Sequence, residues 1–153
     1  MRRRHSPRAN QVVIQVRYRR AWRSGSALAR SARRFLRRLS LRGCELSVLV
    51  VGDSAIRRLN RRWRRTDAAT DVLSFPTGDA PGPWKVLGDV VVSYETAERR
   101  AKATGGRVEA ELDRYLAHGL LHLLGYDHAS RAQAREMAAR EEKLLGQRGM
   151  VAL

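Results

Sequence analysis

Apolar and polar positions divide this chain into nine segments. Gln11 to Tyr18 (Gln-Val-Val-Ile-Gln-Val-Arg-Tyr) is rich in β-branched residues and predicts a strand. After Ser24-Gly25-Ser26 an amphipathic helix runs to about Leu41. Leu28, Ala32, Phe35, Leu36 and Leu39 form its apolar stripe, and Arg30, Arg33, Arg34, Arg37 and Arg38 form a basic stripe at the same period. Gly43 ends it. Leu46 to Val51 is an apolar run expected to be a central strand, and Asp53 suits the N-cap of a second helix. Ile56, Leu59 and Trp63 are the expected buried side of that helix. Val72 to Phe75 reads as a strand stopped by Pro76, residues 77–83 as a loop, and Val86 to Ser93 as the fourth strand. Ser93 caps a helix that begins at Tyr94-Glu95-Thr96 and ends before Gly105-Gly106. Two more helices follow, from about Val108 to Leu124 and from Arg131 to about Leu145.

The order β-α-β-α-β-β-α-α-α predicts an α/β (α+β) fold: one mixed four-stranded sheet with about five helices, one of them buried and bearing histidines. A chain of 153 residues suffices for one such domain. Residues 1–10 read as a basic disordered tail with His5 at the surface, leaving 11–153 as the domain.

The helix before Gly125 carries the distinctive chemistry. Leu116 to His128 reads Leu-Ala-His-Gly-Leu-Leu-His-Leu-Leu-Gly-Tyr-Asp-His and holds three of the four histidines of the chain. His118 and His122 are spaced i, i+4 and share one helix face. The residues around them are apolar nearly all round, the pattern of a buried helix. Gly125 suits the left-handed position past a helix end, which lets the chain turn back and bring His128 to the other two. Three imidazoles can then share one metal with a fourth position open for water. A buried imidazole with no partner costs about 1–3 kcal/mol, and a shared metal removes that cost for all three.

Charge changes the picture next. Net charge is +16, with 28 arginines against 3 lysines. Residues 1–65 carry 20 arginines and only Glu45 and Asp53, for +18, whereas residues 66–153 carry −2. A field this one-sided attracts polyanions. The basic stripe of Arg30, Arg33, Arg34, Arg37 and Arg38 is the first candidate for phosphate contacts, with Arg61 and Arg62 on the second helix beside it. Trp63 could stack a base, but its spacing from Leu59 favours the core. A membrane surface fits less well than nucleic acid, because no unburied helix groups aromatic and aliphatic residues with the charge. Cys44 is the only cysteine, expected as a small buried residue. A lone cysteine fits a reducing compartment, and no signal-peptide segment follows the basic N-terminus, so a cytoplasmic location is expected.

His-Gly-Leu-Leu-His-Leu-Leu-Gly-Tyr-Asp-His resembles the histidine block of the YbeY family of bacterial endoribonucleases and rRNA maturation factors. It differs from the zinc-protease His-Glu-x-x-His pattern, because Gly119 replaces the general-base glutamate. Leu59-Asn60, Trp63-Arg64, Asp67 and Thr70-Asp71-Val72-Leu73-Ser74-Phe75-Pro76 are similar to a second block of that family. Leu87-Gly88-Asp89-Val90, Ser93 and Glu95-Thr96-Ala97 are similar to a third. The resemblance spans roughly 46–128. It implies a zinc-dependent, single-strand-specific endoribonuclease with one Zn2+ per chain, acting in 16S rRNA 3′-end maturation and ribosome quality control. It implies metal ligands at His118, His122 and His128 and an active-site arginine at Arg64, with single-stranded RNA, 16S rRNA and the small ribosomal subunit as partners and no DNA expected. The family usually has tyrosine where this chain has Trp63, and often proline where it has Ala69.

Three readings remain open on the residues alone. In the first, the metal drives phosphodiester cleavage at His118 while Arg64 holds the phosphoryl oxygens. In the second, a structural zinc stabilises a non-catalytic rRNA- or ribosome-binding assembly factor, with Asp127 as a conceivable fourth ligand. In the third, the metal hydrolyses another substrate such as a peptide, which the missing glutamate and the basic charge disfavour. Asp127 is either an orienter of a ligand or a turn-stabilising residue. No residue stands out as a general base.

Overall fold

A computed structural model of the chain describes residues 8–78 and 85–146. Most of the predicted basic tail, with His5, and most of the predicted loop 77–83 lie outside the described residues.

β-Branched residues in alternation build the sheet. Strands β1 (Gln11–Val16), β2 (Cys44–Val51), β3 (Val72–Pro76) and β4 (Lys85–Ser93) lie in the order β1-β2-β4-β3. β1 and β4 both run parallel to β2, and β3 runs antiparallel to β4, so the sheet is mixed. Ser74 pairs with Val90, and Pro76 pairs with Gly88 at the end of the sheet where the other strands begin. The register slips between Glu45 and Leu46, opposite the turn of β4 at Gly88. Gly88 has φ +132°, and a Cβ there would stand 2.2 Å from the Phe75 carbonyl oxygen, so only glycine fits.

Helices α1 (Ser24–Arg38), α3 (Tyr94–Thr104), α4 (Val108–Leu123) and α5 (Arg131–Leu145) cover one face. The larger core lies there: Leu28, Phe35 and Leu36 of α1 meet Leu46, Val48 and Val50 of β2 and Leu112, Leu116 and Leu120 of α4. Among the described residues the other face carries only α2 (Asp53–Arg64) and a small cluster of Val51, Ile56, Leu73 and Val91. The predicted fold class and element order hold, and Cys44 is buried as expected. No helix among the described residues is long and apolar enough to cross a membrane.

Three expectations change. Ser24, Gly25 and Ser26 do not precede α1 but form its first turn, because Ser24 is buried and Gly25 lets the helix approach Val16 of β1 closely. Asp53 is not the N-cap of α2. Gly52 occupies that position, and Glu95 of α3 accepts the Asp53 N–H at 2.9 Å, leaving the Asp53 carboxylate for other partners. Trp63 is not in the core: it is 60% exposed. Among the described elements α2 alone covers this sheet face, and its apolar cluster is too small to enclose a ring at the last turn. The indole therefore stands at a rim, edge-on to Phe75 with ring centroids 6.5 Å apart.

Candidate metal centre and cleft

α4 delivers the first two histidines because its burial fixes its rotation. Leu112, Leu116 and Leu120 point into the core, which leaves His118 and His122 half-buried at its edge. Gly119 sits between them on the face that meets the sheet. A Cβ at Gly119 would stand 2.7 Å from Val90 Cγ1 and 3.1 Å from Ser74 Oγ, so the helix lies close on β3 and β4. Ser74 Oγ donates to the Gly119 carbonyl at 3.0 Å and fastens that contact. Gly119 thus gives helix-to-sheet packing, and a glutamate there would point into β3 and β4 rather than toward the histidines.

After α4 the chain turns as expected. Gly125 has φ +95° and donates to the His122 carbonyl at 3.0 Å, and Tyr126 N–H donates to Leu121 at 3.1 Å. Asp127 accepts the His128 N–H at 2.7 Å and so stabilises the turn. His128 arrives with its ring centroid 5.8 Å from His118 and 5.2 Å from His122. One ring nitrogen from each of the three lies within 4.8 Å of the others. The Nε2 atoms of His118 and His122 are 3.0 Å apart. Among the described residues no other group of three histidine, cysteine or acidic side chains comes together so closely, and Asp127 does not join this one.

The donor set fits a divalent transition metal. Neutral imidazoles ligate such ions, and burial, followed by the neighbouring His118 and His128, holds His122 below its ordinary pKa, which favours the neutral ring. His118 Nδ1 is hydrogen-bonded to Glu141 of α5, which leaves its Nε2 directed at the cluster. Motif and spacing do not single out Glu141. Its signal was nonetheless present: it lies one turn after Met137 and one before Leu144, both buried, so a carboxylate interrupts the inward stripe of α5.

The histidines line a cleft of about 610 Å³ whose other wall is Thr70 to Ser74, Pro76 and Arg64. Arg64 Nη2 donates to the Ser74 carbonyl at 2.6 Å, on the free edge of β3, and its guanidinium lies 5.8 Å from the centre of the Phe75 ring. That bond uses one of its five N–H donors. The loop after α2 is tied down although Ala69 replaces proline: the buried Asn60 amide donates to the Ala68 carbonyl at 2.9 Å, and Arg57 pairs with Asp67. Asp71 also faces the cleft, held by Arg100 at 3.0 Å.

The other arginines are not brought into this cleft. Arg30, Arg33 and Arg37 stand exposed on α1. Arg34 reaches Asp113 at 3.7 Å, and Arg38 donates to the Leu144 carbonyl of α5, so both have structural partners. Arg61 and Arg62 are exposed on α2, with Arg62 lying 5.2 Å from the centre of the Trp63 ring.

Comparison with known proteins agrees with the resemblance. The family model described as endoribonuclease YbeY matches residues 16–149. A protein of Myxococcus xanthus named endoribonuclease YbeY is 56% identical over 94% of this chain and 50% of its own length. Namesakes from Anaeromyxobacter dehalogenans and Aquifex aeolicus are 56% and 44% identical, over 80% and 78% of this chain and 67% and 78% of their own lengths. The chain therefore spans about half the length of the Myxococcus relative. A Thermotoga maritima protein solved in solution shares the fold, with a TM-score of 0.57 at 24% identity over 90% of this chain and 91% of that one.

Proposed function

The chain belongs to the YbeY family, and on that premise we propose that it is a metal-dependent, single-strand-specific endoribonuclease acting in 16S rRNA 3′-end maturation and ribosome quality control. The observation that carries this reading is the convergence of three ring nitrogens within 4.8 Å in a cleft that Arg64 also lines. His118, His122 and His128 would hold the ion, and zinc, one per chain, is the metal we assign to three imidazoles. Such an ion supplies positive charge that acidifies water and withdraws electrons from a phosphoryl oxygen.

The chain's own residues do the rest. Glu141 fixes the tautomer and orientation of His118. Arg64, anchored through one N–H to Ser74, offers its remaining donors to phosphoryl oxygens and neutralises charge that builds on them. Both carboxylates lining the cleft are engaged: Asp71 by Arg100, and Asp127 by the His128 backbone. Single-stranded 16S rRNA on the small ribosomal subunit is the partner this reading assigns.

A structural zinc in a non-catalytic assembly factor would call for a fourth protein ligand. The described donors number three, and Asp127 is occupied by the turn, which favours the catalytic reading. The test pairs metal analysis with cleavage of single-stranded and duplex RNA by wild type, His122→Ala and Arg64→Glu. The expected outcome is about one zinc per chain in wild type and Arg64→Glu but not in His122→Ala. Cleavage of the single strand is expected in wild type alone. Full cleavage by metal-free protein would sink the proposal, and tight RNA binding without cleavage would move the reading to the assembly factor.

A further inference from the structure

A second basic site lies at the other edge of the sheet. The start of β1, the C-terminal end of α1 and the connection to β2 enclose a pocket of about 560 Å³. Arg8, Arg33, Arg37 and Arg42 line it, and among the described residues no carboxylate does. Its frame is fixed. The Asn10 side chain donates to the Leu41 carbonyl at 2.8 Å and accepts the Cys44 N–H at 3.0 Å, while Gly43 N–H donates to the Arg8 carbonyl at 2.9 Å. These bonds hold the connection after α1 against the segment that enters β1.

The end of α1 points the same way. Leu41 N–H returns to Leu36 and Ser40 N–H to Arg37, which closes the helix in a Schellman arrangement. Ser40 takes the left-handed position, φ +56°, where glycine is easier, and it is among the residues that line the pocket. Like charges gathered on a fixed frame repel one another, and an anion relieves that repulsion. Arg33, Arg37 and Arg42 together carry more charge than one phosphate needs and match a run of phosphodiesters, each carrying a single charge.

The histidine cleft runs along β3 from Thr70 to Pro76, and its Pro76 end lies at the same end of the sheet as the pocket. Pro76 of the cleft pairs with Gly88 near the beginning of β4, while the pocket sits at the beginnings of β1 and β2. Three strand spacings separate the two edges, about 14 Å. α5 spans between them: Glu141 bonds to His118, and one turn later Leu144 accepts from Arg38, the neighbour of Arg37.

We propose that this arginine pocket binds backbone phosphates of a single-stranded RNA at a distance from the bond held in the histidine cleft. The inference rests on the proposed reading of that cleft, and deepens it by giving the strand a second anchor and a path.

The test is equilibrium binding of fluorescent single-stranded oligoribonucleotides of increasing length, across a salt series. It compares wild type, the double variant Arg33→Gln/Arg37→Gln and the control Arg19→Gln/Arg23→Gln. The control removes equal charge from exposed positions at the other end of α1. Wild type is expected to bind longer strands more tightly, and the Arg33/Arg37 variant to lose most of that gain, on the order of tenfold near 0.1 M salt. Its salt slope should fall by about 1.4, at ~0.7 per lost phosphate contact. The control should stay close to wild type, and inorganic phosphate at equal ionic strength should compete poorly. Equal affinity and slope in wild type and the Arg33/Arg37 variant would overturn the pocket, as would an equal loss in the control. Binding is read without cleavage, so the two proposals fail separately. A normal slope change in a protein that cuts no RNA would spare the pocket and remove the nuclease. Cleavage with no slope change would do the reverse.

Discussion

His118 is the residue on which the centre turns. Its Nδ1 is bonded to Glu141 while its Nε2 faces His122, so the carboxylate decides which nitrogen is available to an ion. Partners of this kind orient metal ligands and raise their basicity, and their loss weakens metal binding by about 10–100-fold. Glu141→Ala is therefore expected to lower zinc affinity within that range in a chelator competition while leaving the fold intact. Unchanged affinity would show that the His118 orientation comes from α4 alone. Gly119 teaches a related lesson. It stands where a metalloprotease keeps a base, but its missing Cβ serves the approach of α4 to Val90 and Ser74.

At the level of elements, α2 is joined to α3 through Asp53. The Asp53 carboxylate accepts from Ser93 Oγ at 2.7 Å, from Thr96 Oγ1 at 2.8 Å and from Arg99 at 2.5 Å. Burial alone would raise its pKa, but the bonds from Arg99, Ser93 and Thr96 together outweigh burial and hold it below the usual carboxylate value. A group depressed in the folded state adds stability above its unfolded pKa of about 3.9, and that stability is lost as pH falls through the folded value. Wild type should thus lose more stability than Asp53→Asn between pH 6 and the acid limb, in urea unfolding followed by circular dichroism. Parallel losses in the two proteins would mean that the carboxylate is not the coupling group. Hydrophobic pattern foretold both helices but not this junction, because its members are about 40 residues apart in sequence.

The whole molecule carries its positive charge in its first 65 residues, at +18 against −2 for the remainder. The fold distributes that charge: Arg20, Arg34 and Arg57 find carboxylates, while Arg33, Arg37 and Arg42 line a pocket that has none among the described residues. Self-repulsion of this size disfavours the compact state and is screened as the Debye length falls from about 30 Å at 0.01 M salt to about 8 Å at 0.15 M. The thermal midpoint is expected to rise across that salt range in the absence of RNA. A midpoint that falls would show that the surface ion pairs outweigh the repulsion.

Much of this was written in local order. The period of apolar positions determined the strands and helices, since each buries one face or stripe whatever its neighbours are. The i, i+4 histidines and the glycine turn determined that three imidazoles would converge, because helix pitch and a left-handed turn are local properties. Tertiary structure alone decided what depends on distant partners. It placed Trp63 at a rim rather than in the core, because one helix is too little to close that sheet face. It set Glu141 behind His118, tied Arg38 to α5 and left Arg33 and Arg37 facing Arg8 and Arg42. A stripe of arginines looks uniform in sequence; which members face a carbonyl, a carboxylate or an open pocket is set by the elements packed beside them.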